Sequence, residues 1–354
     1  MIQIKHKLFL LIMLAVCAIP LALADKSLEN KKVIEWGWDE PDPKFMRENI
    51  GQMEQMPFDG LVFHINNIQG KSLTREIWGH QRFEMDDFQQ ALADLKSTKF
   101  HRFTERFLRV NVTPGDVDWF DDAAWKVVLN NFGVAARIAK MSGVKGFMFD
   151  TEQYGNKLFA YSQLSKGNAK SYSEYQLKIR QRGGEWIQEI NHWFPDITIL
   201  LTYGYRLPQP DSLLHREVLT DFLNGVFDSC SDKTIIVDAW ESAYAYKQIE
   251  QYKTAYDTIK IKALEWTDSP EKYHKHIRAG FGIMMDYDGR KFHWDANDVA
   301  KNYFTPIEFE NSVRTALQTS DKYVWIYTEQ PRWWTNQKLP KDYIEALMKA
   351  HIEK

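Results

Sequence analysis

The 354-residue sequence has two cysteines, Cys17 and Cys230. Cys17 falls in an amino-terminal apolar segment, so the rest of the chain has a single thiol. That excludes an internal disulfide and any zinc site built from cysteine pairs. Positive charge is not in excess: 45 Lys and Arg face 48 Asp and Glu, for a net charge of −3. The basic residues are scattered, so a nucleic-acid partner is not expected. Neither a Gly-x-Ser-x-Gly turn nor a His-Glu-x-x-His helix occurs, which removes two common hydrolase signatures. After the first apolar run, Trp36-Gly37-Trp38-Asp39-Glu40-Pro41 is bulky and acidic where a phosphate loop would be rich in glycine. His274-x-His276 sits in a predicted helix, where that spacing does not share a face. Asp286-x-Asp288-Gly289 lacks the remaining ligands of a calcium loop. No cofactor or metal is expected.

Long apolar runs are also scarce. One stands out, Leu8 to Ile19, and it is too short to span a membrane as a helix. Lys5 and Lys7 precede it and Ala22-Leu23-Ala24 follows it. A positive start, an apolar centre and a small-x-small end read as a signal peptide over 1–24. The expected mature chain is 25–354, secreted or periplasmic, with no stable membrane insertion after cleavage. Asn111-Val112-Thr113 fits a glycosylation sequon but falls inside a predicted strand.

Aromatic residues are abundant, at 14% with 13 Trp. Trp and Tyr offer an apolar face beside a polar edge, which matches the surface of a sugar ring. Hydrophobic residues reach 44%, enough for a sizeable core. Short apolar runs alternate with longer amphipathic segments. The runs are Val33–Trp38, Gly60–Asn66, Phe107–Val112, Val144–Phe149, Ile197–Tyr203, Thr234–Ala239, Gly282–Met285 and Tyr323–Tyr327. Helices are expected between them, among them Lys44–Met56 and Ala123–Met141. A long helix over Ser171–Trp193 is expected to break at Gly183-Gly184, another follows His215, and Lys341–His351 closes the chain. Nearly continuous apolar strands indicate a parallel sheet covered on both faces. Eight strand-helix units in series point to an α/β single domain closed as a (β/α)8 TIM barrel, over an open doubly wound sheet.

A barrel builds its site from the loops after its strands. The predicted strand ends bring Trp38, His64, Asn111, Tyr203, Tyr205, Asp238, Trp240, Glu241, Asp286 and Trp333 to one rim as candidate substrate-binding residues. Asp150 and Glu152 are two apart on the fourth strand and share a face. Two neighbouring carboxyls suit acid catalysis, because each makes the other harder to ionise. Glu152 is the candidate acid. Glu329, Asp286, Asp238 and Glu241 are candidates for the second carboxylate that glycoside hydrolysis requires, and Glu329 has the most site-like surroundings.

The segment Gly146-Phe147-Met148-Phe149-Asp150-Thr151-Glu152 resembles the fourth-strand motif of family 18 chitinases and their relatives, although Met148 stands where that family has another Asp. The resemblance implies Glu152 as the acid, Asp150 as the group that positions a substrate N-acetyl, and Tyr244 as a counterpart of the family's sixth-strand tyrosine. The layout is also similar to retaining glycosidase barrels, with an acid after strand four and a carboxylate on a late strand. The expected function is a glycoside hydrolase acting on a polysaccharide or oligosaccharide. The alternatives are a non-catalytic carbohydrate-binding barrel and a polysaccharide lyase.

Overall fold

The computed structural model describes residues 30–164, 170–206, 217–289, 291 and 293–352. The expected signal peptide lies outside the described residues, as does the expected helix start at His215. Nine strand segments run parallel: β1 (Lys32–Gly37), β2 (Gly60–Phe63), β3 (Glu105–Asn111), β4 (Gly146–Asp150), β5 (Thr198–Leu201), β6 (Ile235–Asp238), β7 (Ile277–Ala279), β8 (Phe281–Met284) and β9 (Tyr323–Thr328). Their order is β7-β6-β5-β4-β3-β2-β1-β9-β8.

The sheet closes through β7 and β8, which are separated by Gly280 alone. β7 pairs with β6, and β8 pairs with β9. Gly280 donates its N–H to the Asp238 carbonyl at 2.8 Å. The two segments therefore act as one strand with a partner on each side, and the count around the barrel is eight. The seventh run is thus longer than the apolar pattern indicates, because Arg278 and Gly280 interrupt it.

Both faces of the wall are buried. Ile34, Val62, Phe107, Met148, Leu200, Val237 and Trp325 fill the interior. The alternate residues pack outward against the helices; Leu61, Leu108, Phe147 and Ile236 belong to that larger core. Helix boundaries follow side-chain caps. Asp42 accepts the Phe45 N–H at the start of Pro43–Met53, and Ser171 and Glu174 form a capping box at the start of Tyr172–Trp193.

That last helix is continuous, against the expectation of a break at Gly183-Gly184. The glycines mark a crossing instead. A Cβ on Gly183 would lie 2.0 Å from the Phe222 carbonyl oxygen of helix Leu219–Ser229, and one on Gly225 would lie 1.9 Å from the Arg180 carbonyl oxygen. Close backbone approach, and not helix termination, is what glycine serves here. Among the described residues no helix is long and apolar enough to cross a membrane.

Candidate active site

The carboxyl ends of the strands surround one mouth, and its floor is ionic. Arg109 lies on β3 with the same inward parity as Phe107. Its guanidinium donates to Glu40 Oε2 and to Asp150 Oδ2, both at 3.1 Å. Burial works against this charge, but Glu40 and Asp150 outweigh it and hold Arg109 firmly protonated. Glu40 also accepts the Trp36 indole N–H at 3.1 Å, and His64 Nδ1 lies 3.6 Å from its other oxygen. The loop after β1 is thereby tied to β2, β3 and β4.

Asp150 is fully buried. Its Oδ1 accepts the Glu152 N–H at 3.0 Å, and its Oδ2 accepts the Tyr154 hydroxyl at 3.2 Å. The Tyr154 hydroxyl also contacts Glu152 Oε2. Burial of the hydroxyl, then the charges of Asp150 and Glu152, push the phenol well above its ordinary range. Tyr154 is therefore a donor to both carboxylates, although its residue is 62% exposed. Glu152 itself is half-buried at the mouth.

On the far side, Tyr203 donates its hydroxyl to Glu241 Oε1 at 3.0 Å. Trp240 adopts φ +36°, ψ 68°, a left-handed conformation that costs a bulky residue about 1–2 kcal/mol. It turns the chain sharply after β6 just before Glu241. Asp238 is fully buried and paired with Arg206, whose guanidinium lies 3.6 Å above the Trp240 ring. Tyr244 stacks on Tyr327 at 5.4 Å. Burial first, then Glu241, Tyr327, Tyr203 and Glu152, push the Tyr244 phenol far up. The groups acting on this one hydroxyl come from the ends of β4, β5, β6 and β9. Trp38 is 61% exposed and donates to the Tyr327 hydroxyl at 2.9 Å.

Asp286, after β8, accepts the backbone N–H groups of Glu329 at 3.0 Å and Gln330 at 2.8 Å. Burial outweighs these bonds and pushes its carboxyl up to about 6. It holds the loop that carries Glu329. Asp286 therefore shapes the rim from beneath.

Two expected substrate-binding residues are not at the mouth. Tyr205 is 1% exposed, and its hydroxyl is spent on Asn224 and the Trp266 carbonyl, between the wall and its helices. Trp333 is 0% exposed and packs edge-on against Phe58 at 4.9 Å, outside the barrel wall. Asn111 is buried, and its side-chain oxygen accepts both the N–H and the hydroxyl of Thr113; this local turn also hides the sequon. Glu35 and Asp39 lie on the outer side of β1. Burial first and Asp39 second push the Glu35 carboxyl well above the usual range, and Asp39 accepts the Trp334 N–H at 3.1 Å. Arg109, Glu40, Tyr154 and Tyr327 escaped the sequence reading of roles. The available signal for Arg109 was a cation in the middle of a predicted strand.

No family model matches the chain, and no curated protein matches it. Solved structures do. A trimodular GH5 subfamily 4 endoglucanase matches at TM-score 0.50 and 9% identity, over 93% of this chain and 62% of that one. A broad-specificity GH5-4 endoglucanase from an uncultured bacterium matches at TM-score 0.49 and 13% identity, over 93% and 96%. A glycoside hydrolase family 5 enzyme from Prevotella bryantii matches at TM-score 0.49 and 10% identity, over 93% and 98%. At 9% identity the match at TM-score 0.50 speaks for the (β/α)8 fold alone. These neighbours are described as family 5, which does not support the family 18 resemblance of the fourth strand. Two side chains of the fourth strand bear on that resemblance. Met148 belongs to the apolar interior, and Asp150 is held by an arginine.

Proposed function

We propose that the chain is an exported glycoside hydrolase acting on a polysaccharide or oligosaccharide, with Glu152 as its general acid. The observation that carries this reading is the order of groups at and just after the end of β4. Asp150 is locked by Arg109 and accepts the Glu152 N–H, so it positions its neighbour. Glu152 stands one step nearer the rim with a tyrosine hydroxyl on one oxygen. In that arrangement Glu152 protonates the leaving glycosidic oxygen and Asp150 keeps it oriented.

Glu329 is proposed as the second carboxylate. In a closed barrel of eight positions β9 lies opposite β4, so the two glutamates approach a bound sugar from opposite sides. Trp38 and Tyr203 are proposed as platforms, with His64 and Glu241 as hydroxyl-binding groups.

The test is a panel of plant, fungal and bacterial polysaccharides assayed for new reducing ends. The wild type is expected to release them. Glu152→Gln and Glu329→Gln are expected to lose about 100-fold or more of that activity while keeping the wild-type circular dichroism spectrum. Full activity in Glu152→Gln removes the mechanism. An unsaturated, ultraviolet-absorbing product indicates a lyase, and saturable binding without turnover indicates a binding barrel.

A further inference from the structure

The barrel has a second opening. At the end where the strands begin, a cavity of about 760 Å³ enters among the starts of β4, β5, β6 and β9. Phe194, Ile235 and Tyr323 supply apolar wall. The charged lining is one-sided: four lysines and Arg278 face two acids, Asp196 and Asp321. A chain of net charge −3 gives no reason to expect a cationic surplus there.

Pairing leaves part of this charge available. Lys140 is paired with Asp196. Lys260 pairs with Asp321 at 3.1 Å. Lys322 reaches Glu105 at 3.2 Å, beneath the Tyr323 hydroxyl that donates to the same carboxylate. Lys145 and Arg278 differ. Among the described residues neither has a carboxylate within 4 Å, and Arg278 donates only to the carbonyls of Lys275 and Ile277. Arg278 pairs in register with Val237, an interior residue, so it lies on the inner face of the wall. Lys145 stands exposed at the rim. An inward guanidinium and a rim ammonium over an aromatic and aliphatic wall form a receptor for a negative group on an apolar body.

We propose that this cavity binds a small organic anion, its charged group between Lys145 and Arg278 and its apolar part against Ile235. The site is separate from the catalytic mouth, and the proposal does not depend on the glycosidase reading.

Calorimetric titration of the full chain tests it, with phenyl phosphate, inorganic phosphate and phenol as probes. Phenyl phosphate is expected to bind saturably, inorganic phosphate about ten-fold more weakly, and phenol not at all. Lys145→Gln, a change at an exposed position, is expected to weaken phenyl phosphate about ten-fold without moving the melting temperature. Arg278→Gln is expected to act in the same direction, and Glu152→Gln to leave binding unchanged. The proposal is overturned by absent saturation, by unchanged affinity in Lys145→Gln, or by loss of binding in Glu152→Gln. Equal affinity for inorganic and phenyl phosphate overturns the apolar half of the site.

Discussion

Arg109 is a cation on the inner face of β3, and two carboxylates, one in the loop after β1 and one at the end of β4, depend on it. Removing it leaves Glu40 and Asp150 facing each other without a counter-charge. Breaking a buried pair by deleting one partner typically costs 3–5 kcal/mol. Arg109→Met is therefore expected to destabilise the fold by about 3 kcal/mol or more, read from urea unfolding. Lys at this position keeps the charge but cannot bridge both acids with one planar fork, so it is expected to restore stability only in part. Asp286 offers the opposite case. Its carboxyl titrates at about 6 in the fold against 3.8 ordinarily. A raised acid binds its proton more tightly when folded, so its contribution is complete below about pH 4 and lost as pH rises through about 6. Asp286→Asn removes that dependence. Between about pH 4 and pH 7 the variant is expected to gain up to about 3 kcal/mol on the wild type. Denaturant titrations at the two pH values check it, and parallel curves for the two proteins refute it.

Helices Tyr172–Trp193 and Leu219–Ser229 meet backbone to backbone at Gly183 and Gly225. No rotamer relieves a Cβ placed about 2 Å from a carbonyl oxygen, so the helices must separate. Gly183→Ala and Gly225→Ala are each expected to cost about 3 kcal/mol, despite alanine's better helix propensity. Thermal melts with the expected drop would confirm the crossing, and a rise in melting temperature would refute it. The glycine pair shows what a one-dimensional reading misses. It looks like a helix breaker until the partner helix is known. The eight runs were legible because a barrel strand is apolar on both faces, and that leaves a mark in any single sequence. Which side of the wall an aromatic occupies leaves no such mark. Tyr205 and Trp333 resemble Tyr203 and Trp38 by position, yet they point into the core. The ionic floor was hidden for a related reason: Arg109 finds Glu40 from 69 residues away, and spacing carries no trace of that meeting.

At the scale of the whole molecule, the first strand and the last helix of the described residues are tied together. Asp59, just before β2, accepts the Val33 N–H at 2.9 Å, contacts Lys32 at 3.2 Å and meets His351 of the last helix at 2.9 Å. Burial opposes its charge, but the His351 bond and charge, then Val33 and Lys32, hold the carboxyl down at about 2. A lowered acid contributes stability above its ordinary value of 3.8, and that stability is lost as pH falls toward about 2. Asp59→Asn is expected to forfeit up to about 2.5 kcal/mol above about pH 4 and to show a flatter acid-unfolding profile below that. An unchanged profile would deny the tie.

The seam of the barrel gives this arrangement a temporal meaning. β1 is made before the other eight strand segments, yet six of its residues pair with β9, the last of them. Until Tyr323–Thr328 has been synthesised, the first strand has an unmatched edge, and the mouth lacks Tyr327 and Glu329. A chain that stops short of Tyr323 therefore has the arginine floor and Glu152 in its sequence but no closed ring to hold them. The enzyme proposed here would be silent until the strand that closes its ring is in place.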